Sequence, residues 1–144
     1  MRVIVEQSLD CKETEIRITC GLPDERLKRL IEYIRQHAFS ITVQKDGQSM
    51  PVALEDIYYF DTVDNKTFLY LKKDIYECDQ KLYQLEEQLK DTPFIRISKN
   101  CIVNTIIVKS VRVLLNGQME ATLNNNEKLM VSRHYLKAFR DKFV

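Results

Sequence analysis

At 144 residues, 44% of them apolar and 30% charged, the chain has the make-up of an ordinary globular protein with room for one domain and a small appendage. No apolar run approaches the roughly 18–20 residues of a membrane span, and residues 1–7, MRVIVEQ, lack the apolar core and cleavage site of a leader, so a cytoplasmic protein is expected. The net charge of +1 conceals an asymmetry: residues 1–93 hold 13 Lys/Arg against 18 Asp/Glu, a net of −5, and residues 94–144 hold 9 against 3, a net of +6.

The first 40 residues read as a small β-β-α unit. Residues 2–7 and 14–20 alternate as short strands, with Ile16 and Ile18 on one face. Gly21-Leu22-Pro23 punctuates, and Pro23, Asp24 and Glu25 open a helix whose apolar positions Leu27, Leu30, Ile31 and Ile34 follow helical spacing to an end near Gln36–Ala38. The unit is too short for a phosphoacceptor receiver domain, which needs ~100 residues. It is expected to serve packing, dimerisation or regulation.

A meander of antiparallel strands follows. Ser40–Gln44 and Ser49–Ala53 flank an Asp46-Gly47 turn. Ile57–Phe60 reads as a central strand. Asp64-Asn65-Lys66 turns into a strand over Thr67–Leu71, and Lys72-Lys73-Asp74 turns into Ile75–Cys78. Asp79 is placed to cap a short helix with Leu82, Leu85 and Leu89 inward and Glu86 and Glu87 in solvent.

Residues 94–104, FIRISKNCIVN, are the centre of the chain. Phe94, Arg96 and Ser98 alternate with Ile95 and Ile97, and a polar island of Ser98, Lys99 and Asn100 interrupts the apolar ballast. By turn chemistry alone the favoured reading of Lys99 and Asn100 is a solvated turn. Ile106–Leu115 is a strand, Asn116-Gly117 carries a type I′ hairpin signal, and Met119–Leu123 returns. Asn124-Asn125-Asn126 turns into Lys128–Val131, and Ser132 is placed to cap a closing helix. That helix has Leu136, Phe139 and Phe143 on one stripe and Arg133, Lys137 and Arg140 on another. The basic stripe coincides with the +6 end, which calls for an acidic partner, nucleic acid being the commonest.

Four cysteines (Cys11, Cys20, Cys78, Cys101) form no CxxC pair and the chain has two histidines, so no metal or other cofactor and no disulfide framework are expected, only buried or half-buried thiols. There is no Gly-rich phosphate loop and no GxSxG. Neither His37, placed at a helix C-terminus, nor His134 has a motif-defined nucleophile beside it. The chain is not expected to be an enzyme.

Three stretches taken together, EDIYYFDTVDNKTFLYL (55–71), KLYQLEEQL with FIRISKNCIVN (81–104) and NNNEKLMVSRHYLKAF (124–139), resemble the LytTR family of DNA-binding domains over roughly residues 40–144. The resemblance implies a mainly β fold, a β-rich α+β arrangement of small antiparallel sheets with short helices, over 41–144, with the β-β-α unit of 1–40 outside it. It implies a bacterial transcription regulator, here without a receiver domain, that lays loops into the major grooves of double-stranded DNA at paired, direct-repeat-like half-sites. The DNA-binding positions it implies are Asn65, Lys66 and Thr67; Ser98, Lys99 and Asn100; and Ser132, Arg133 and His134, with Lys137 on the basic stripe beside them. A homodimer on DNA and a regulatory membrane protein are the partners it suggests. The competing reading of the same basic, β-rich scaffold is an interaction module that docks an acidic protein.

Overall fold

The structure is a computed structural model that describes residues 1–12, 14–34 and 40–143 with side chains and 35–38 as backbone. His37, expected to meet a helix dipole, lies outside the described side chains. A helix α1 (Glu25–Ala38) precedes ten strands in two antiparallel sheets. The larger sheet comprises β1 (Ser40–Lys45), β2 (Gln48–Ala53), β3 (Tyr59–Val63), β4 (Lys66–Tyr70), β5 (Ile75–Cys78), β6 (Phe94–Ser98) and β7 (Cys101–Asn104) in the order β2-β1-β5-β4-β3-β7-β6. The smaller comprises β8 (Val108–Val113), β9 (Met119–Leu123) and β10 (Lys128–Val131) in the order β10-β9-β8. The helix α2 (Leu82–Gln88) joins β5 to β6, and α3 (Leu136–Phe143) closes the chain. This is the mainly β architecture expected.

Around β3, β6 and β7 the large sheet is covered on both faces, because successive residues of a strand point to opposite sides and here each side meets a core, whereas β1 buries one face and leaves the other exposed. On one side Phe60, Leu69, Phe94 and Ile102 pack with Leu82 and Leu85 of α2 and with Leu89 at its C-cap. On the other Tyr59, Ile97, Cys101 and Val103 pack with Met119, Ala121, Leu123, Val131 and Phe139, so the small sheet and α3 lie over this face. β7 is therefore buried at every position, as strands covered on both faces are. Each fully buried Phe, Leu or Ile contributes about 1.5–3 kcal/mol. Tyr59 ties the two sheets: its ring stacks on Tyr70 at 4.2 Å and its hydroxyl donates to Glu127 at 2.8 Å. Burial and the Glu127 carboxylate both raise the pKa of that hydroxyl, keeping it the donor.

Several boundaries differ from expectation. Of the β-β-α unit only the helix forms among the described residues: 2–7 and 14–20 join no ladder and lie exposed, with Val3 82% and Ile16 63% accessible. Their alternation has no facing strand to pair with. The helix opening is as expected, with Asp24 Oδ1 accepting from Leu27 N at 2.8 Å. Ile57 does not begin a strand. Its N–H closes a 3-10 turn onto Leu54 O, and the strand starts at Tyr59. Asp79 does not cap α2. Lys81 holds the N-cap position, its N–H bonded by Gln84 Oε1 at 2.8 Å. The Asn116-Gly117 turn is not type I′, which needs two positive φ values. Only Gly117 (φ 85°) has one, and Leu114 and Gln118 bracket a turn closed by a left-handed residue. The same geometry recurs at Leu123–Glu127 with Asn126 (φ 70°) in that role. Cys78 and Cys101 are buried, as expected of the thiols, but Cys11 and Cys20 are exposed in the N-terminal segment that joins no ladder.

Candidate nucleic-acid interface

Three turns emerge at one end of the large sheet. The first joins β3 to β4: Asp64 (φ 52°) and Asn65 (φ 63°) take the left-handed conformations of a tight hairpin, which short polar side chains tolerate. Asn65 and Lys66 are exposed at its tip. Thr67 is not with them. It is 3% accessible, paired between Thr62 and Cys78 inside the sheet, so its hydroxyl is withheld from the surface.

The second turn joins β6 to β7. A bulge between Arg96 and Ser98 breaks the expected alternation and sends Ile97 into the core at 1% accessible. Lys99 and Asn100 are left exposed at the tip, and Ser98 half-buried beneath them accepts from Asn100 N at 3.3 Å. Arg96, expected on a plain polar face, is half-buried and closes this turn. Its Nε donates to Ser98 O at 3.1 Å and its Nη2 to Lys99 O, while Nη1 meets Glu86 Oε2 at 2.9 Å. Glu86 is thus a partner of the turn rather than a merely solvated carboxylate.

The third segment follows β10. Ser132 is half-buried at the N-cap position with no capping bond from its hydroxyl, and its carbonyl accepts from Tyr135 N at 2.9 Å. Arg133 to Tyr135 form a 3-10 turn before α3, with Arg133 and His134 exposed and the His134 ring edge-on to Tyr135 at 5.1 Å. Gly117 lies beneath Arg133: a Cβ there would sit 3.1 Å from Arg133 Cδ. The absence of a side chain lets the arginine stem lie across the β8–β9 turn. On α3, Phe139 is fully buried, while Lys137 and Arg140 are exposed.

Two backbone hydrogen bonds join the segments. Thr62 N donates to Asn100 O at 2.9 Å, fixing the β3–β4 hairpin beside the second turn, and Ser132 N donates to Ile97 O at 2.9 Å, fixing the third segment beside it. With a rise of about 3.3 Å per residue, the Asp64-Asn65 tip stands roughly 7–10 Å beyond the Thr62 level. The rim therefore holds Asn65, Lys66, Ser98, Lys99, Asn100, Ser132, Arg133 and His134, with Lys137 alongside, and excludes Thr67.

Its electrostatics favour an anion. Lys66, Lys99, Arg133, Lys137 and Arg140 have no carboxylate partner among the described residues, whereas Arg96, Arg112 and Lys128 are paired with Glu86 or Glu120. Beneath the rim, burial raises the pKa of the Asp61 carboxyl, only partly offset by the Thr62 N–H at 3.1 Å. Among the described residues no group of three His, Cys, Asp or Glu is placed to hold a metal, and no helix is long and apolar enough to cross a membrane. Sequence reasoning missed Arg96, Glu86, Lys81 and Gly117. Their roles run through backbone carbonyls and close approach, which side-chain type does not signal.

Residues 47–143 match the family model of the LytTr DNA-binding domain. The chain is 27% identical over 103 residues to a sensory transduction protein LytT of Enterococcus faecalis, covering 72% of this chain and 43% of that protein. It is 30% identical over 102 residues to a transcriptional regulatory protein LytR of Staphylococcus aureus, covering 65% and 42%. The chain therefore spans less than half the length of these curated relatives. A solved LytTr DNA-binding domain from Bacillus cereus superposes with a TM-score of 0.66 at 23% identity, over 72% of this chain and 94% of that one.

Proposed function

The chain belongs to the LytTr DNA-binding domain family, and from that membership we propose that it is a sequence-specific transcriptional regulator that reads paired short half-sites through turns set into the major groove. The observation that carries this reading is the rim itself: three turns at one sheet end, locked by the Thr62–Asn100 and Ser132–Ile97 bonds and carrying cations that have no carboxylate partner among the described residues. Arg133 is the base reader, since a guanidinium donates two parallel bonds to guanine O6 and N7. Lys99 and Lys66 contact phosphate or guanine. Asn65, Asn100 and His134 add directional donors and acceptors, Ser98 and Ser132 offer hydroxyls, and Lys137 holds backbone phosphate.

Residues 41–144 are the reading domain and 1–40 the unit that brings two copies together on one DNA face. The half-exposed apolar stripe of α1, where Leu30 is 38% accessible, supports that division. The chemistry is recognition rather than catalysis, and cytoplasmic.

A salt titration tests the reading against that of a module docking an acidic protein. Binding to a selected duplex falls log-linearly with salt, with a slope of about −0.9 per phosphate neutralised, and stays tighter than to a scrambled duplex throughout. Equal affinity for both duplexes at every salt contradicts sequence-specific regulation and leaves the protein-docking module.

A further inference from the structure

We propose that α2 is a brace for two of the reading turns, a role that rests on the DNA-reading function above and assigns part of its specificity to side chains that touch no DNA. α2 is fixed to the sheet by Leu82, Leu85 and Leu89, all buried. From its N-cap position Lys81 donates its Nζ to Asn65 O at 3.0 Å, in the first turn. From its middle Glu86 holds the Arg96 guanidinium at 2.9 Å, and the two other nitrogens of that fork donate to Ser98 O and Lys99 O, in the second. Both turns are thereby held through their carbonyls, which frees the side chains of Lys66, Lys99 and Asn100 to face outward. Arg96 is a positioning residue. Its side chain is 18% accessible and each of its three nitrogens already donates to a protein oxygen. Only a planar fork spans a carboxylate and two carbonyls at once, and lysine does not reproduce it.

The test uses the full chain with Arg96→Lys, Glu86→Gln and Lys81→Gln. Binding is measured to a duplex selected by the wild type and to a scrambled one, across a salt series, with a thermal melt of each protein. Loss of a charge-assisted hydrogen bond that shapes the turn is expected to lower the ratio of the two affinities about tenfold for Arg96→Lys and Glu86→Gln. The salt slope stays that of the wild type. The double variant Glu86→Gln/Arg96→Lys is expected to lose no more than the worse single variant, since both cut one chain of contacts. Lys81→Gln is expected to relax preference only at bases read by the first turn.

An unchanged affinity ratio in a protein whose melting temperature falls makes Arg96 a structural residue and overturns the brace. A slope shallower by about 0.9, with both duplexes weakened alike, makes it a phosphate contact and also overturns it. Should Arg96→Lys fail to fold, Glu86→Gln, at a side chain 51% accessible, carries the test alone. A wild type without sequence preference removes the regulator reading and the brace with it. A selective wild type with equally selective variants removes the brace only.

Discussion

Arg133 and Lys137 stand four residues apart on exposed surface, yet they are assigned different work. Arg133 is exposed in the 3-10 turn before α3 with its stem across Gly117, and Lys137 is exposed in the first turn of α3. Arg133→Ala is expected to cost about 1–3 kcal/mol at a single base position and erase preference there. Lys137→Ala or Arg140→Ala weakens all sequences alike and leaves the preference profile intact. Binding to a panel of duplexes with single base-pair changes distinguishes the two patterns, and an Arg133→Ala protein as selective as wild type contradicts the assignment. At this scale the sequence was informative where turn chemistry decides exposure, as at Asn65, Lys66, Lys99 and Asn100. It grouped Thr67 with the exposed tip although the residue is buried, because whether a strand residue is covered depends on what packs on its face. It was silent on how Arg96 is satisfied, by carbonyls two and three residues away.

Asp61 belongs to the scale of the element, since its setting is created by β3 lying between β4 and β7. Burial raises its folded pKa above the unfolded value, so between those two values the folded state binds more protons than the unfolded one. Stability contributed by the protonated form is full below the unfolded value, about 3.9, and is lost as pH rises through the folded value. Asp61→Asn, which keeps an acceptor for Thr62 N, is expected to melt higher than wild type at pH 7, with the gap closing as pH falls through the carboxylate range. A gap that is absent at pH 7, or that widens in acid, contradicts the burial argument. The elements themselves were legible where two signals agreed: the Asp46-Gly47 hairpin, the α1 opening at Asp24 and the buried stripe of α3. They were misread where one signal stood alone. Asn116-Gly117 suggested a turn type that its φ values do not adopt, and residues 2–7 and 14–20 alternate with no strand to pair against.

In the whole molecule the part of the large sheet around β3 and β7 has a core on each face, and the turns at its end extend from these strands. Period-2 reasoning expects one polar face, so the double burial of β3 and β7 and the order β2-β1-β5-β4-β3-β7-β6 were not recoverable from alternation. The charge asymmetry was: among the described residues the C-terminal cations Lys99, Arg133, Lys137 and Arg140 carry no carboxylate partner, while Arg112 and Lys128, on the small sheet, are drawn to Glu120. The most direct test of the account is selection of bound duplexes from a random pool by the purified chain at near-physiological salt. Recovery of a short motif in two copies spaced near one helical turn, about 10–10.5 base pairs, is the result it predicts. A folded protein that recovers nothing above the input pool contradicts it.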